Sequence, residues 1–290
     1  MKKIILLMMA VGLFTFSCKN EQKEVKEEMP VESYKLTKLW ESDTVFTTVE
    51  AVIYDPKTDL IYVSNIEGEP WGADGVGSIG KLKMDGTVVE AKWITGLSAP
   101  KGLGIIGDKL YVTDIKNLVE IDIPTGKISK TYTVEDSEGL NDVSTSADGI
   151  IYFTDSQKGV VHMLKDGVVS VVVDSLQGSN GVFVENDRLL LGTWGDESLT
   201  QYKFADKSIS IVADSITQPD GVEAIGDGGY LVSSWKGLIH HVAADGTTSL
   251  LLDTAKDTIS AADIDFVQDK QTLLIPTFFR NTVAAYSLAK

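Results

Sequence analysis

The chain has 290 residues, 43% of them hydrophobic and 23% charged, with a formal net charge of −16. That length buries a sizeable core without covalent help, and the single cysteine, Cys18, excludes an internal disulfide. An acidic surface repels phosphate backbones, which excludes nucleic acid as a partner.

The chain opens with Lys2 and Lys3, then an apolar run over residues 4–16. The run is too short to span a bilayer with margin, so residues 1–17 read as an export signal peptide. Cys18 follows at once. Thr15-Phe16-Ser17-Cys18 resembles a bacterial lipobox, without the usual leucine three residues before the cysteine. The expectation is lipid on the Cys18 sulfur; the alternative is an ordinary secretory signal with an incidental cysteine. Lipid attachment implies an exported, outer-membrane lipoprotein, facing the periplasm or the exterior and touching membrane only through its anchor. Residues 18–33 mix glutamates and lysines without apolar periodicity and read as a disordered tether. Residues 34–290 remain as one domain, expected to be a monomer.

From about residue 45 the chain repeats itself. Strand-like runs recur at Leu60-Ile61-Tyr62-Val63, Leu110-Tyr111-Val112, Ile151-Tyr152-Phe153, Leu190-Leu191, Tyr230-Leu231-Val232 and Leu273-Leu274-Ile275. Turns such as Asp148-Gly149, Asp166-Gly167 and Asp245-Gly246 separate strands. Each repeat opens on a polar residue: Glu50, Lys101, Asn141, Asn180, Asp220 and Asp263. A period of about 40 residues with four short strands is the mark of a propeller blade. The fold class is therefore all-β, a six-bladed β-propeller. The last repeat has room for three strands, so residues 34–40 are expected to pair with it, closing the ring and removing an exposed edge. An open solenoid or two sandwiches are the competing folds.

In a propeller the innermost strands line a central channel, so the six openings should form a ring. Three carboxylates, two carboxamides and one ammonium make a hard-oxygen set suited to Ca²⁺, Mg²⁺ or Mn²⁺. Asn180-Gly181 and Asp220-Gly221 are equally turn dipeptides that would merely start strands. Lys101 has two readings, a stand-in for a metal paired with Asp263 or a site for an anionic substrate. His162, His240 and His241 fall outside the openings, which argues against a histidine-built zinc site. The ends of the second strands return to the same face, so Asn65, Asp114, Asp155, Trp194, Trp235 and Phe278 are expected around the mouth, with Asp155 and Trp194 contacting substrate. Residues 67–78 lengthen the first repeat with a Gly-rich loop carrying Trp71, a candidate lid.

The openings resemble the senescence-marker-protein/gluconolactonase family, which includes regucalcin. Glu50 in Val-Glu-Ala-Val-Ile-Tyr-Asp-Pro, Asn141 in Leu-Asn-Asp-Val, Asn180 in Ser-Asn-Gly-Val and Asp220 in Pro-Asp-Gly-Val carry the likeness. The resemblance implies a six-bladed propeller in which Glu50, Asn180 and Asp220 bind one divalent cation, calcium first among calcium, magnesium, manganese and zinc. It implies that Asn141 orients a small-molecule substrate, with Lys101 nearby, and that Asp220 doubles as general base in a hydrolase of lactones or esters. The chain departs from the pattern where sugar lactonases often carry an arginine, two residues before the asparagine; here that residue is Gly139. Val49 stands where a glycine commonly precedes the first glutamate. The alternative reading is a non-catalytic propeller that binds a small ligand or a protein.

Overall fold

The computed structural model describes residues 33–290. The expected signal over residues 1–17, Cys18 and the tether up to residue 32 lie outside the described residues. All the strands fall within the compact unit Tyr34–Lys290. Among the described residues no helix is long and apolar enough to cross a membrane.

The strands form six four-stranded antiparallel sheets. Five are built in chain order from the axis outward. The first runs Val49–Asp55, Leu60–Asn65, Gly77–Lys83 and Val88–Leu97. The inner strands of the next four are Pro100–Ile106, Leu140–Thr145, Ser179–Val184 and Pro219–Ala224. The sixth takes three strands from the C-terminus, Asp265–Val267, Thr272–Pro276 and Val283–Ala289, and its outermost strand, Lys35–Glu41, from the start of the domain. Lys35 faces Ala289 and Glu41 faces Ala284 across that seam. The expected six-bladed β-propeller, closed by the N-terminal strand, is the observed fold.

The second strands are the most buried, because they have sheet on both sides and a neighbouring blade on each face. Leu189, Leu190 and Leu191 in the fourth blade are each fully buried. Alternate residues point to opposite neighbours: Leu190 packs with Val222 and Val232 of the fifth blade, while Leu189 and Leu191 pack with Val161 and Val173 of the third. Each such side chain is worth roughly 1.5–3 kcal/mol of apolar burial. This continuous layer between blades fixes their angular positions, and so the positions of everything at the hub.

Candidate functional site

The hub geometry rests on a repeated irregularity. In five blades the innermost strand slips register by one residue against the second: between Val49 and Val52, Pro100 and Leu103, Leu140 and Val143, Ser179 and Val182, and Pro219 and Val222. Each slip is a β-bulge, and a bulge re-aims side chains. The bulged pairs are Glu50-Ala51, Lys101-Gly102, Asn141-Asp142, Asn180-Gly181 and Asp220-Gly221. The Asn-Gly and Asp-Gly pairs are therefore bulges within strands rather than turns. Close approach explains the small second residue: a Cβ on Gly181 would lie 1.8 Å from the Asp220 carbonyl oxygen, and one on Gly102 would lie 2.5 Å from the Asp142 Cα.

These bulges bring five of the six openings to one pocket. Glu50, Lys101, Asn141, Asn180 and Asp220 form its floor, and Pro70, Trp71, Trp194, Trp235, Phe278 and Phe279 its wall, around a cavity of ≈ 200 Å³. All five floor residues are buried. The Asn141 side-chain amide donates to the Asn180 carboxamide oxygen and, at 3.0 Å, to Ser156 Oγ. Neighbouring hydroxyls hold the strands themselves: Thr154 Oγ1 donates to the Asn180 carbonyl at 2.8 Å and accepts from the Asp142 amide at 3.0 Å.

The floor's electrostatics are unbalanced. Burial pushes the Glu50 carboxyl up to about 7, opposed by the Lys101 ammonium. Burial, then the charges of Asp142 and Glu50, raise Asp220 well above the carboxylate range, with Lys101 and the Asn180 amide pulling the other way. Burial lowers Lys101, and Glu50, Asp220, Asp142 and Asp114 oppose that shift. One ammonium answers to four buried carboxylates, and among the described residues it makes no ion pair within 4.0 Å. Its Nζ instead lies 4.3 Å from the centre of the Trp71 ring.

Among the described residues no three His, Cys, Asp or Glu side chains make a metal cluster on their own; the donors here mix carboxylates with carboxamides. Glu50 Oε2, Asn141 Oδ1 and Asp220 Oδ1 are buried without a hydrogen-bond partner. Buried oxygens without donors are costly, and hard anionic and amide oxygens are what Ca²⁺ or Mg²⁺ takes. The residues present fit such a cation.

Sequence reasoning misplaced four residues. Asn65, expected at the mouth, is buried behind the pocket lining and donates its side-chain amide to Ser78 Oγ at 3.4 Å. Asp263 does not join the pocket or pair with Lys101; with Glu223 and Asp265 it lines a second axial cavity of ≈ 140 Å³. It precedes the strand Asp265–Val267, which pairs without a bulge, and its backbone bonds the first blade, its amide donating to the Glu50 carbonyl at 3.0 Å. Asp155, expected to contact substrate, is fully buried and accepts from the Glu138, Gly139 and Lys158 amides at 2.9, 3.0 and 3.1 Å. Asp114 likewise accepts from the Ser98 and Ala99 amides. The aligned partners of Asp155 in the fourth and fifth blades are Thr193 and Ser234, so the tryptophans follow their strands by one residue. That one-residue offset is why Trp194 and Trp235 reach the pocket while the aspartates hold loops.

Asp142 was missed. It is buried, both its carboxylate oxygens lack partners, and burial followed by the Glu50 charge raises it well above the usual range. The available signal was an acidic residue where the other bulges carry glycine or alanine. The histidines lie elsewhere: His162 stacks on Phe153 at 5.3 Å, and His241 meets Tyr34 edge-on at 4.8 Å.

The protein is thus a ring-closed six-bladed β-propeller with a polar axial pocket under an aromatic wall. No protein-family model matches the chain, and no curated protein sequence matches it. Solved structures do. It is similar to a candidate gluconolactonase solved by X-ray (TM-score 0.68, 17% identity, covering 89% of this chain and 93% of that one). It is similar to a streptogramin B lyase (0.64, 12%, 88% and 98%) and to the virginiamycin B lyase of Staphylococcus aureus (0.62, 15%, 89% and 100%). At these identities the likeness is one of fold.

Proposed function

We propose that the protein is a divalent-cation-dependent hydrolase of lactones or esters, acting at the axial pocket. One observation carries this reading: Glu50, Asn141 and Asp220, each with a buried and unpartnered oxygen, line a single concavity together with Asn180. The shared fold of a candidate gluconolactonase, a streptogramin B lyase and a virginiamycin B lyase is consistent with it. Glu50, Asn180 and Asp220 would hold the cation, with Asn141 beside them. When bound, it supplies Lewis-acid polarisation of a carbonyl and a lowered pKa for water. Asp220 accepts the proton of the attacking water. Asn141 orients the substrate oxygen through its amide. Lys101 contributes positive charge where the carbonyl oxygen turns anionic. The aromatic wall excludes bulk water and strengthens these interactions.

The test is a lactone and ester panel with Ca²⁺, Mg²⁺, Mn²⁺ or Zn²⁺ in turn, with Asp220→Ala beside the wild type. Cation-dependent turnover lost in the variant supports the reading; no turnover with any cation overturns it. Lys101 favours a second reading, a non-catalytic ligand-binding propeller, because a fixed ammonium disfavours a mobile cation. Thermal unfolding indifferent to chelator and to added cation would select that one.

The export signal and the lipid on Cys18 belong to the same proposal. They place the propeller outside the cytoplasm on a short tether, in the manner of an outer-membrane lipoprotein. Cys18→Ser should move the protein from the membrane to the soluble fraction and abolish labelling by a fatty-acid analogue.

A further inference from the structure

The wall and the floor of the pocket differ sharply in chemistry. Every side chain with a hydrogen-bonding or charged terminus sits in the floor, apart from the indole N–H groups. The wall is three indoles, two phenyl rings and Pro70. Its rings are held in place. Trp194 Nε1 donates to the Pro219 carbonyl at 2.7 Å. Trp235, Phe278 and Phe279 lock edge to face, with centroids 5.5, 6.1 and 4.6 Å apart. Phe278 holds a φ of 49°, a left-handed conformation rare for a bulky side chain. Two backbone hydrogen bonds to Val49, next to Glu50, pin it there. Such strain persists where surroundings over-determine it, and it concentrates at ligand clamps.

Trp71 completes the wall from the long loop of the first blade. Its ring lies against the bare backbone of Gly139: a Cβ there would come within 2.7 Å of Trp71 Cζ3. Any side chain at 139 would displace the indole. Asp155 fixes the Gly139 amide, so the seat is built from beneath. Trp71 is 41% exposed and Phe279 64% exposed, an unusual state for large aromatics beside a buried polar floor.

We propose that the pocket takes a cyclic ester, or an ester, whose body is a flat apolar ring, and that Trp71 seated on Gly139 is the residue that selects it. This rests on the hydrolase reading for the reaction, but not for the binding. A flat apolar ring buries both faces against indole and phenyl while its carbonyl reaches the floor. A polyhydroxylated sugar ring would instead lose water from several hydroxyls against a wall with few partners for them, a penalty that discriminates strongly.

Calorimetry on the full chain tests binding with two inert lactams, isoindolin-1-one and glucono-1,5-lactam. Turnover is followed with phthalide, γ-butyrolactone and glucono-1,5-lactone. The expected result is at least about tenfold tighter binding of isoindolin-1-one than of the sugar lactam. Trp71→Ala and Gly139→Val should each weaken isoindolin-1-one roughly tenfold, and Trp71→Phe should restore most of it. The KM for γ-butyrolactone, which is too small to span the wall, should rise by a smaller factor than the isoindolin-1-one Kd in both variants. Equal or tighter binding of the sugar lactam overturns the inference, as does an equal loss for both lactams in Trp71→Ala. Selective isoindolin-1-one binding without turnover of any lactone upholds this inference and sinks the hydrolase reading. Glucono-1,5-lactone turnover without aryl preference does the reverse.

Discussion

The Val49 amide donates to the Phe278 carbonyl at 3.3 Å, and the Phe278 amide donates back to Val49 at 3.1 Å. The two ends of the ring therefore meet one residue from Glu50. Ring closure and site geometry are a single structural event, since the sixth blade holds the first blade's inner strand at the point where its carboxylate turns inward.

Removal of the closing strand should therefore damage the site as well as the fold. A chain lacking residues 34–41 loses the edge pairing with Val283–Ala289 and the Glu41 contacts to Arg280 and Thr282. Its unfolding midpoint should fall by more than about 10 °C, as a loss of several kcal/mol would cause in a domain of this size. Differential scanning calorimetry, with and without Ca²⁺, measures both effects.

Asp220→Asn should stabilise the cation-free protein while abolishing its response to cation. The substitution removes one of three mutually repelling buried carboxylates, the source of the raised Asp220 and Asp142 values. With cation a hundredfold above its Kd, the wild type should gain about 2.7 kcal/mol, or roughly 5–10 °C. The variant should gain nothing and should start higher in chelator.

The pH dependence has a definite sign. Burial raises Glu50 from 4.5 to about 7 and Asp265 from 3.8 to about 6. Raised folded values contribute stability that is complete below the unfolded values and is lost as pH climbs through 6 and 7. Glu41, held down to about 2 by Arg280, Lys38 and Thr282 against its own desolvation, contributes in the opposite direction, above pH 4.5. In chelator the unfolding midpoint should peak near pH 5 and decline toward pH 8. Ca²⁺ should raise it more at pH 8 than at pH 5, because only ionised carboxylates hold it. A flat profile across this window would contradict the burial of Glu50.

Lys101→Met tests the role of the fixed charge. Lys101 lowers the values of Glu50, Asp142 and Asp220, so its loss leaves those acids harder to ionise in the absence of cation. The same loss lifts a repulsion on an incoming cation. Ca²⁺ affinity by calorimetry at pH 8 should tighten roughly tenfold, the scale of one unit charge acting across a few ångströms of partly polar medium. Weaker binding would mean that the lysine helps to organise the ligand oxygens.

Gly181→Ala should fail to fold at 37 °C, because its Cβ would lie 1.8 Å from the rigid backbone oxygen of Asp220. Gly149→Ala, at a turn with nothing within 4 Å but a φ of 84°, should cost only about 1 kcal/mol. Soluble yield and midpoint separate the two.

The repeat period made the architecture legible, since strand runs and polar openings recur at a spacing set by four short strands. Glu50, Asn141, Asn180 and Asp220 were legible because they open repeats. Asp155 was misread because counting along strands put it level with Trp194 and Trp235, whereas its equivalents are Thr193 and Ser234, one residue earlier. Asp263 was misread because its place in the repeat does not disclose that it sits before a three-residue, bulge-free strand, with its backbone bonded to the first blade. Phe279 and the Trp71–Gly139 seat were invisible: they join segments far apart in the chain, and neither has a counterpart in the other blades.

The local slip in each inner strand has a further consequence. The ladder before and after it is ordinary, so glutamate, lysine and asparagine occupy equivalent backbone sockets without altering the sheets that carry them. A new chemistry at the centre needs only an exchange of one side chain in one socket, while the layers between sheets go on specifying the shape. Inheritance of the scaffold and invention at its middle are thereby made independent.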